Sequence, residues 1–135
     1  MAASLVCLVK LMRKTLLLSS LFLLPLFGAD ATAKFQKTKL QCDRGSASAC
    51  ALMYSYYMQN KQTFVPGLKP SLKKALFYAQ KACELGDADG CYFAGMTLYY
   101  GDDWGNVERD RERGKAYIQK ACKLGKEDVC TYFPQ

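Results

Sequence analysis

The chain has 135 residues, a length typical of one domain. It contains 19 Lys and Arg, 12 Asp and Glu and no His, so its net charge is +7. The absence of His excludes a Ser–His–Asp or Cys–His catalytic arrangement and any zinc site that uses imidazole. The densest basic cluster, residues 109–113, alternates with acids. It therefore predicts a solvated helix start, and we expect no nucleic-acid partner.

Residues 1–31 have the layout of a cleavable signal peptide. Three basic residues precede an apolar run over residues 15–27, and small residues suited to cleavage follow it. The run is shorter than the roughly 20 residues that a transmembrane helix needs; an uncleaved membrane anchor is the alternative. We expect cleavage after Ala31, export to the periplasm or the exterior, and no membrane contact afterwards. The sequence from Met12 is itself a good signal start, which makes Met12 a candidate translation start.

Six cysteines follow in three pairs of equal spacing. Each pair reads C-x2-G-x4-C, and successive pairs begin 41 and 39 residues apart. Three copies at a near-constant period predict a repeat architecture. The pairs are Cys42 and Cys50, Cys83 and Cys91, and Cys122 and Cys130.

The Gly in each copy predicts how the cysteines are placed. A Gly after a helical run is the usual C-terminal cap, so the first Cys should lie in the last turn of one helix and the second in the first turn of the next. Repeat symmetry then selects a disulfide within each pair. Zinc ligation and free thiols are the alternatives, but Cys-only zinc sites favour C-x2–4-C spacing and free thiols are unexpected in an exported protein.

Apolar residues after each pair recur with helical spacing. Cys50, Met53 and Tyr57 share one helical face, as do Cys91, Ala94 and Leu98. Ser71 is a natural N-cap for the second helix of the first unit. The sequence therefore predicts an all-α fold, a short α/α solenoid of helix–turn–helix repeats like tetratricopeptide repeats, stapled by intra-repeat disulfides.

About two and a half repeats follow the signal peptide in the predicted domain, residues 32–135. Their bounds are roughly 46–85, 87–124 and a partial unit at 126–135, in which residues 130–135 form a truncated helix. A solenoid has a concave face lined by one set of helices, and tyrosine is favoured at recognition surfaces. Tyrosines in the first helices of the units are therefore the candidate binding surface, with core filling as the alternative role. They are Tyr54, Tyr57, Tyr92, Tyr99 and Tyr100.

These motifs resemble the SEL-like repeats of the cysteine-rich proteins first described in Helicobacter. The residues that carry the resemblance are 81–91, Gly95, 98–101 and 120–125, and it extends over most of residues 40–135. The first unit departs from the pattern, because Tyr54 stands where the second unit has Gly95. The resemblance implies a secreted or periplasmic solenoid that binds a protein, a peptide or a cell-wall fragment of host or cell-envelope origin.

The same subgroup also carries a β-lactamase label, which implies a hydrolase of penicillins or cephalosporins as the alternative function. Ser71 and Lys74 match the S-x-x-K element of serine β-lactamases, but the chain has neither S-D-N nor K-T-G. Ser71 is better explained as a helix cap, and helix-cap and turn roles account for Glu84, Asp87 and Asp89. The sequence therefore identifies no catalytic residue, and lactam hydrolysis would need a mechanism without these motifs; we predict no cofactor and no metal site.

Overall fold

The computed structural model describes residues 26–103 and 106–132, with side chains from residue 29 onward. The chain divides into two compact units, Met1–Asp30 and Ala31–Gln135, and the repeats belong to the second. Most of the predicted signal peptide lies outside the described residues, so that interpretation stays a prediction. Among the helices that are described, none combines the length and apolar character needed to cross a membrane.

Five α-helices and one 3-10 helix form the described part of the chain, which contains no strand. The helices α2 and α3 form one complete unit, and α4 and α5 form the next. Helix α1 precedes them and the 3-10 helix follows. This arrangement confirms the predicted all-α repeat fold. The elements are α1 Leu26–Asp43, α2 Ala47–Met58, α3 Leu72–Glu84, α4 Ala88–Tyr100, α5 Arg111–Lys123 and the 3-10 helix Glu127–Val129.

Side-chain caps determine where the first helix of each unit begins. The backbone N–H of Ala49 donates to Ser46 Oγ at 3.4 Å, and that of Gly90 donates to Asp87 Oδ1 at 2.7 Å. The corresponding residue of the third unit is Lys126, whose side chain has no acceptor and makes no cap hydrogen bond. A 3-10 helix forms there instead of an α-helix. The predicted truncated helix is wrong for residues 130–132, which are turn.

Two kinds of connection alternate along the array. Short turns at residues 44–46, 85–87 and 124–126 each lie between the two cysteines of a pair. Each turn contains a Gly with φ between 90° and 102°. Longer connections join the two helices of each unit; the described loop residues are 59–71 in the first unit, and 101–103 and 106–110 in the second. Because successive helices run antiparallel, the turns lie along one side of the array and the loops along the other. We call these sides the disulfide edge and the loop edge.

Helices α4 and α5 approach each other backbone to backbone through two glycines. A Cβ atom on Gly95 would lie 2.6 Å from Ile118 Cγ1 and 2.8 Å from the carbonyl oxygen of Gly114. In the first unit Tyr54 stands in place of Gly95 and Ala79 in place of Ile118, so the large and the small residue have exchanged helices. The Tyr54 ring is half-buried and reaches the next unit, which explains how the first unit tolerates its departure from the repeat pattern.

Candidate binding surface

Disulfides join the members of each predicted cysteine pair. The Cα–Cα distances are 4.6 Å for Cys42–Cys50, 4.4 Å for Cys83–Cys91 and 5.0 Å for Cys122–Cys130. All four cysteines of the first two bridges are 0% exposed, whereas those of the third are half-buried. Each bridge spans one turn, so the three bridges together hold the disulfide edge.

Charge is distributed unequally between the two sets of helices. Helix α2 has no charged residue, and α4 has one, Asp89. Every Lys and Arg in the described helices lies in α1, α3 or α5. The first helices of the two units, α2 and α4, therefore present an almost uncharged surface. The second helices, α3 and α5, are basic.

The first helices also expose large apolar side chains. Leu52 of α2 is 42% exposed and Tyr100 of α4 is 61% exposed, with Met58 similarly open. Phe93 of α4 is half-buried; its ring stacks on Tyr54 at a centroid distance of 4.6 Å and an interplanar angle of 2°. This stack joins the two helices side by side. We call the surface made by Leu52, Met58, Phe93 and Tyr100 the first-helix face.

One of the five predicted tyrosines belongs to the core. Tyr57 is 7% exposed, stacks on Tyr78 at 5.6 Å and meets the edge of Phe35 at 6.0 Å. Its main role is therefore core filling, the alternative that the sequence left open. Because Tyr57 also lines the cavity beside Met58 and Ser71, its part in binding stays a prediction. Burial also raises the pKa of the partner ring, Tyr78, above its usual value.

The other four tyrosines reach the surface to different extents. Tyr100 is well exposed, and Tyr54 is half-buried in its stack with Phe93. Tyr92 and Tyr99 are half-buried beneath cations: Lys126 Nζ lies 5.3 Å from the Tyr92 centroid, and the Arg111 guanidinium lies 5.6 Å from that of Tyr99. Their part in binding stays a prediction.

Sequence reasoning missed Leu52, Met58 and Phe93 as surface residues. Leu52 and Phe93 each follow the second Cys of their pair by two residues. In an α-helix that offset of about 200° points away from the buried cysteine. The helical spacing therefore predicts that Leu52 and Phe93 point outward, although neither is a tyrosine.

A cavity of about 500 Å³ lies at the loop edge, lined in part by Met58, Ser71 and Asp102. The Ser71 hydroxyl accepts the backbone N–H of Lys74 at 3.3 Å, which is the predicted N-cap role. The Lys74 ammonium lies 5.4 Å from the centroid of the Tyr57 ring. The S-x-x-K match is thus accounted for by a helix cap and a cation–π contact.

Two carboxylates near the middle bridge, Asp87 and Asp89, have structural partners. Asp87 caps α4, and Asp89 pairs with Lys126 at 2.8 Å across to the third unit. The hydrogen bond from Lys126 to Asp89 raises the pKa of the lysine. Within residues 26–103 and 106–132, no three His, Cys, Asp or Glu side chains cluster as metal ligands would.

A family model of the Sel1 repeat matches residues 48–87 and 88–126, more than half of the chain. This chain belongs to the Sel1 repeat family. In that register, one Sel1 repeat is α2 with α3 and the next is α4 with α5, so the Cys83–Cys91 bridge joins consecutive repeats. Counted as the helical hairpin α3–α4, the same bridge is internal to one unit.

Two known proteins show how far the similarity of this Sel1 protein extends. Helicobacter pylori cysteine rich protein B is 32% identical with a TM-score of 0.63, and the match covers 73% of this chain and 68% of that one. Cytochrome c oxidase assembly factor 7A of Xenopus laevis is 32% identical over 74 residues. That match takes in 55% of this chain and 30% of the Xenopus protein, so this Sel1 chain spans under a third of that relative's length.

Proposed function

We propose that this Sel1 repeat protein is an exported binding module whose first-helix face receives an uncharged, apolar segment of a protein or peptide. The observation that carries the proposal is the pairing of exposed apolar side chains with the absence of Lys and Arg from α2 and α4. Protein interfaces are enriched in aromatic residues and Met and depleted of Lys, Glu and Asp at their centres. An apolar face also favours a peptide over a sugar-rich cell-wall fragment.

Three disulfides support export. Such bonds form and persist in oxidising compartments, and small exported domains use them where the hydrophobic core is limited. The similarity to the Helicobacter cysteine rich protein supports the same conclusion. N-terminal sequencing of the exported form tests the proposal: we expect it to begin near Thr32 or Lys34, and an intact N-terminus at Met1 or Met12 would contradict cleavage.

Binding can be tested with peptides selected from a random 12-residue phage library against the oxidised full chain. We expect the selected peptides to be rich in aliphatic and aromatic residues. Leu52→Glu and Met58→Glu should weaken their binding at least tenfold, because each places a charge on the first-helix face.

Phe77→Glu is the matched control, since Phe77 is 58% exposed but lies on α3, a second helix. The proposal fails if Phe77→Glu weakens binding as much as Leu52→Glu. A chromogenic cephalosporin tests the hydrolase alternative. Turnover by the oxidised protein that one substitution abolishes would replace the binding proposal with an enzymatic function.

A further inference from the structure

Each first helix has a flank that faces the next unit, and in the first unit this flank is covered by a helix. Tyr54 of α2 stacks on Phe93 of α4, and Thr97 Oγ1 of α4 lies 3.5 Å from the Tyr54 hydroxyl. Helix α4 therefore occupies the space beside α2.

Among the described residues, the same flank of α4 has a much shorter cover. Tyr92 and Met96 are half-buried on this side, against a cluster that includes the buried Val129. Within the described chain, the 3-10 helix and the Lys126 ammonium over Tyr92 lie at the start of the flank, near the disulfide edge. The chain then leaves as a turn, with Tyr132 62% exposed at the position that Phe93 holds one repeat earlier. We call the surface of Tyr92 and Met96 the open flank.

We propose that an amphipathic helix of a partner protein docks on the open flank, in the space that a third first helix would occupy. The repeat itself indicates a helix as the occupant, because a helix fills the corresponding space beside α2. This inference goes beyond the proposed function, since it concerns a different side of α4 from the first-helix face and does not depend on Leu52 or Met58.

The charges around the open flank indicate the chemistry of that helix. Arg111 lies over Tyr99 near the loop edge and is exposed, and no carboxylate in residues 26–103 or 106–132 forms an ion pair with it. Tyr92 and Tyr99 are seven residues apart, which is about 10 Å along a helix. The partner helix should therefore present an apolar stripe of about two turns, with a carboxylate at the end that meets Arg111.

A second copy of this chain is a poorer occupant on grounds of charge. The first helix of its described residues is α1, in which three Lys outnumber two Asp. Placing α1 beside Arg111 and the cationic surface of α5 would bring like charges together.

A synthetic peptide based on α4 tests the proposal. The probe has the sequence of residues 88–100 with C91S and Y100E, carries a fluorescent label, and is titrated into the oxidised full chain while anisotropy is recorded. We expect saturable binding that Arg111→Glu weakens at least tenfold. The same peptide carrying Y100K in place of Y100E should recover binding to the Arg111→Glu variant, because the charge pair is restored in reverse.

Lys73→Glu is the control for non-specific attraction, since Lys73 is an exposed cation at the start of the other second helix, α3. The proposal is overturned if the peptide does not bind saturably, or if Lys73→Glu weakens binding as much as Arg111→Glu. Self-association in sedimentation that Met96→Glu abolishes would identify a second copy as the occupant and would also overturn it. Leu52→Glu should leave this peptide's affinity unchanged, so failure here is distinguishable from failure of the proposed function.

Discussion

Loss of the middle disulfide should destabilise the protein more than loss of the terminal one. Both bridges join cysteines eight residues apart, so chain entropy alone assigns each about 2.6 kcal/mol. Cys83 and Cys91 are 0% exposed, and removing two buried sulfur atoms adds about 1 kcal/mol each through lost packing. Cys122 and Cys130 are half-buried and lose little beyond the entropic contribution. The expected difference in the free energy of unfolding is therefore about 2 kcal/mol.

The comparison uses Cys83→Ala with Cys91→Ala against Cys122→Ala with Cys130→Ala. Thermal unfolding followed by circular dichroism should show the middle variant melting at least about 8 °C below the terminal one. Equal loop lengths make each variant the control for the other. If the terminal variant melts lower, the packing argument is refuted, and the 3-10 helix with its buried Val129 must instead stabilise the whole array.

Three further predictions follow from packing, exposure and charge. Gly114→Ala should lower the free energy of unfolding by about 1–3 kcal/mol in urea denaturation despite alanine's better helix propensity, because its Cβ would lie 2.8 Å from backbone atoms of α4; unchanged stability would disprove the close approach. Limiting dithiol should reduce Cys122–Cys130 before the two fully buried bridges, as alkylation and peptide mapping would show, and simultaneous reduction of all three would contradict it. The hydrogen bond from Lys39 lowers the pKa of Asp43, so its stabilising effect is present above the unfolded value and lost as the pH falls through the lowered value. Asp43→Asn should therefore flatten the fall in melting temperature below about pH 4, and an unaltered pH profile would count against this pair.

The repeat architecture could be predicted because its signal is local. Gly45, Gly86 and Gly125 adopt positive φ, a conformation that side chains with a Cβ rarely tolerate, so a Gly at fixed distance from a Cys marks a helix end. The Cys spacing then brings adjacent turns within disulfide distance. Neither inference requires knowledge of distant contacts.

The binding surface was harder to predict because residue type alone does not separate core from surface. Tyr57 lies on the same helical face as Cys50, and this spacing predicts a core position. Tyrosine, however, occurs both in protein cores and at recognition surfaces. The helical offset of Phe93 from Cys91 places it away from the core, but its stack on Tyr54, a residue 39 positions earlier, becomes visible only once the units are packed. The repeat pattern did not predict the 3-10 helix of the third unit, because that helix follows a single residue, Lys126, whose side chain has no acceptor to cap an α-helix.

The placement of the disulfides along one edge has a consequence for proteolysis. A cut within residues 85–87 would leave both fragments covalently joined through Cys83–Cys91, because the cut bond lies inside the ring that the bridge closes. A cut within residues 59–71 or 101–110 would leave fragments held together by packing alone, since no disulfide of the described chain spans either loop. Exposed loops are the usual sites of such nicking, and Phe64 projects from the first of them. The resistance of the folded protein to proteases therefore depends on the loop edge, whereas at the disulfide edge a broken peptide bond does not separate the fragments.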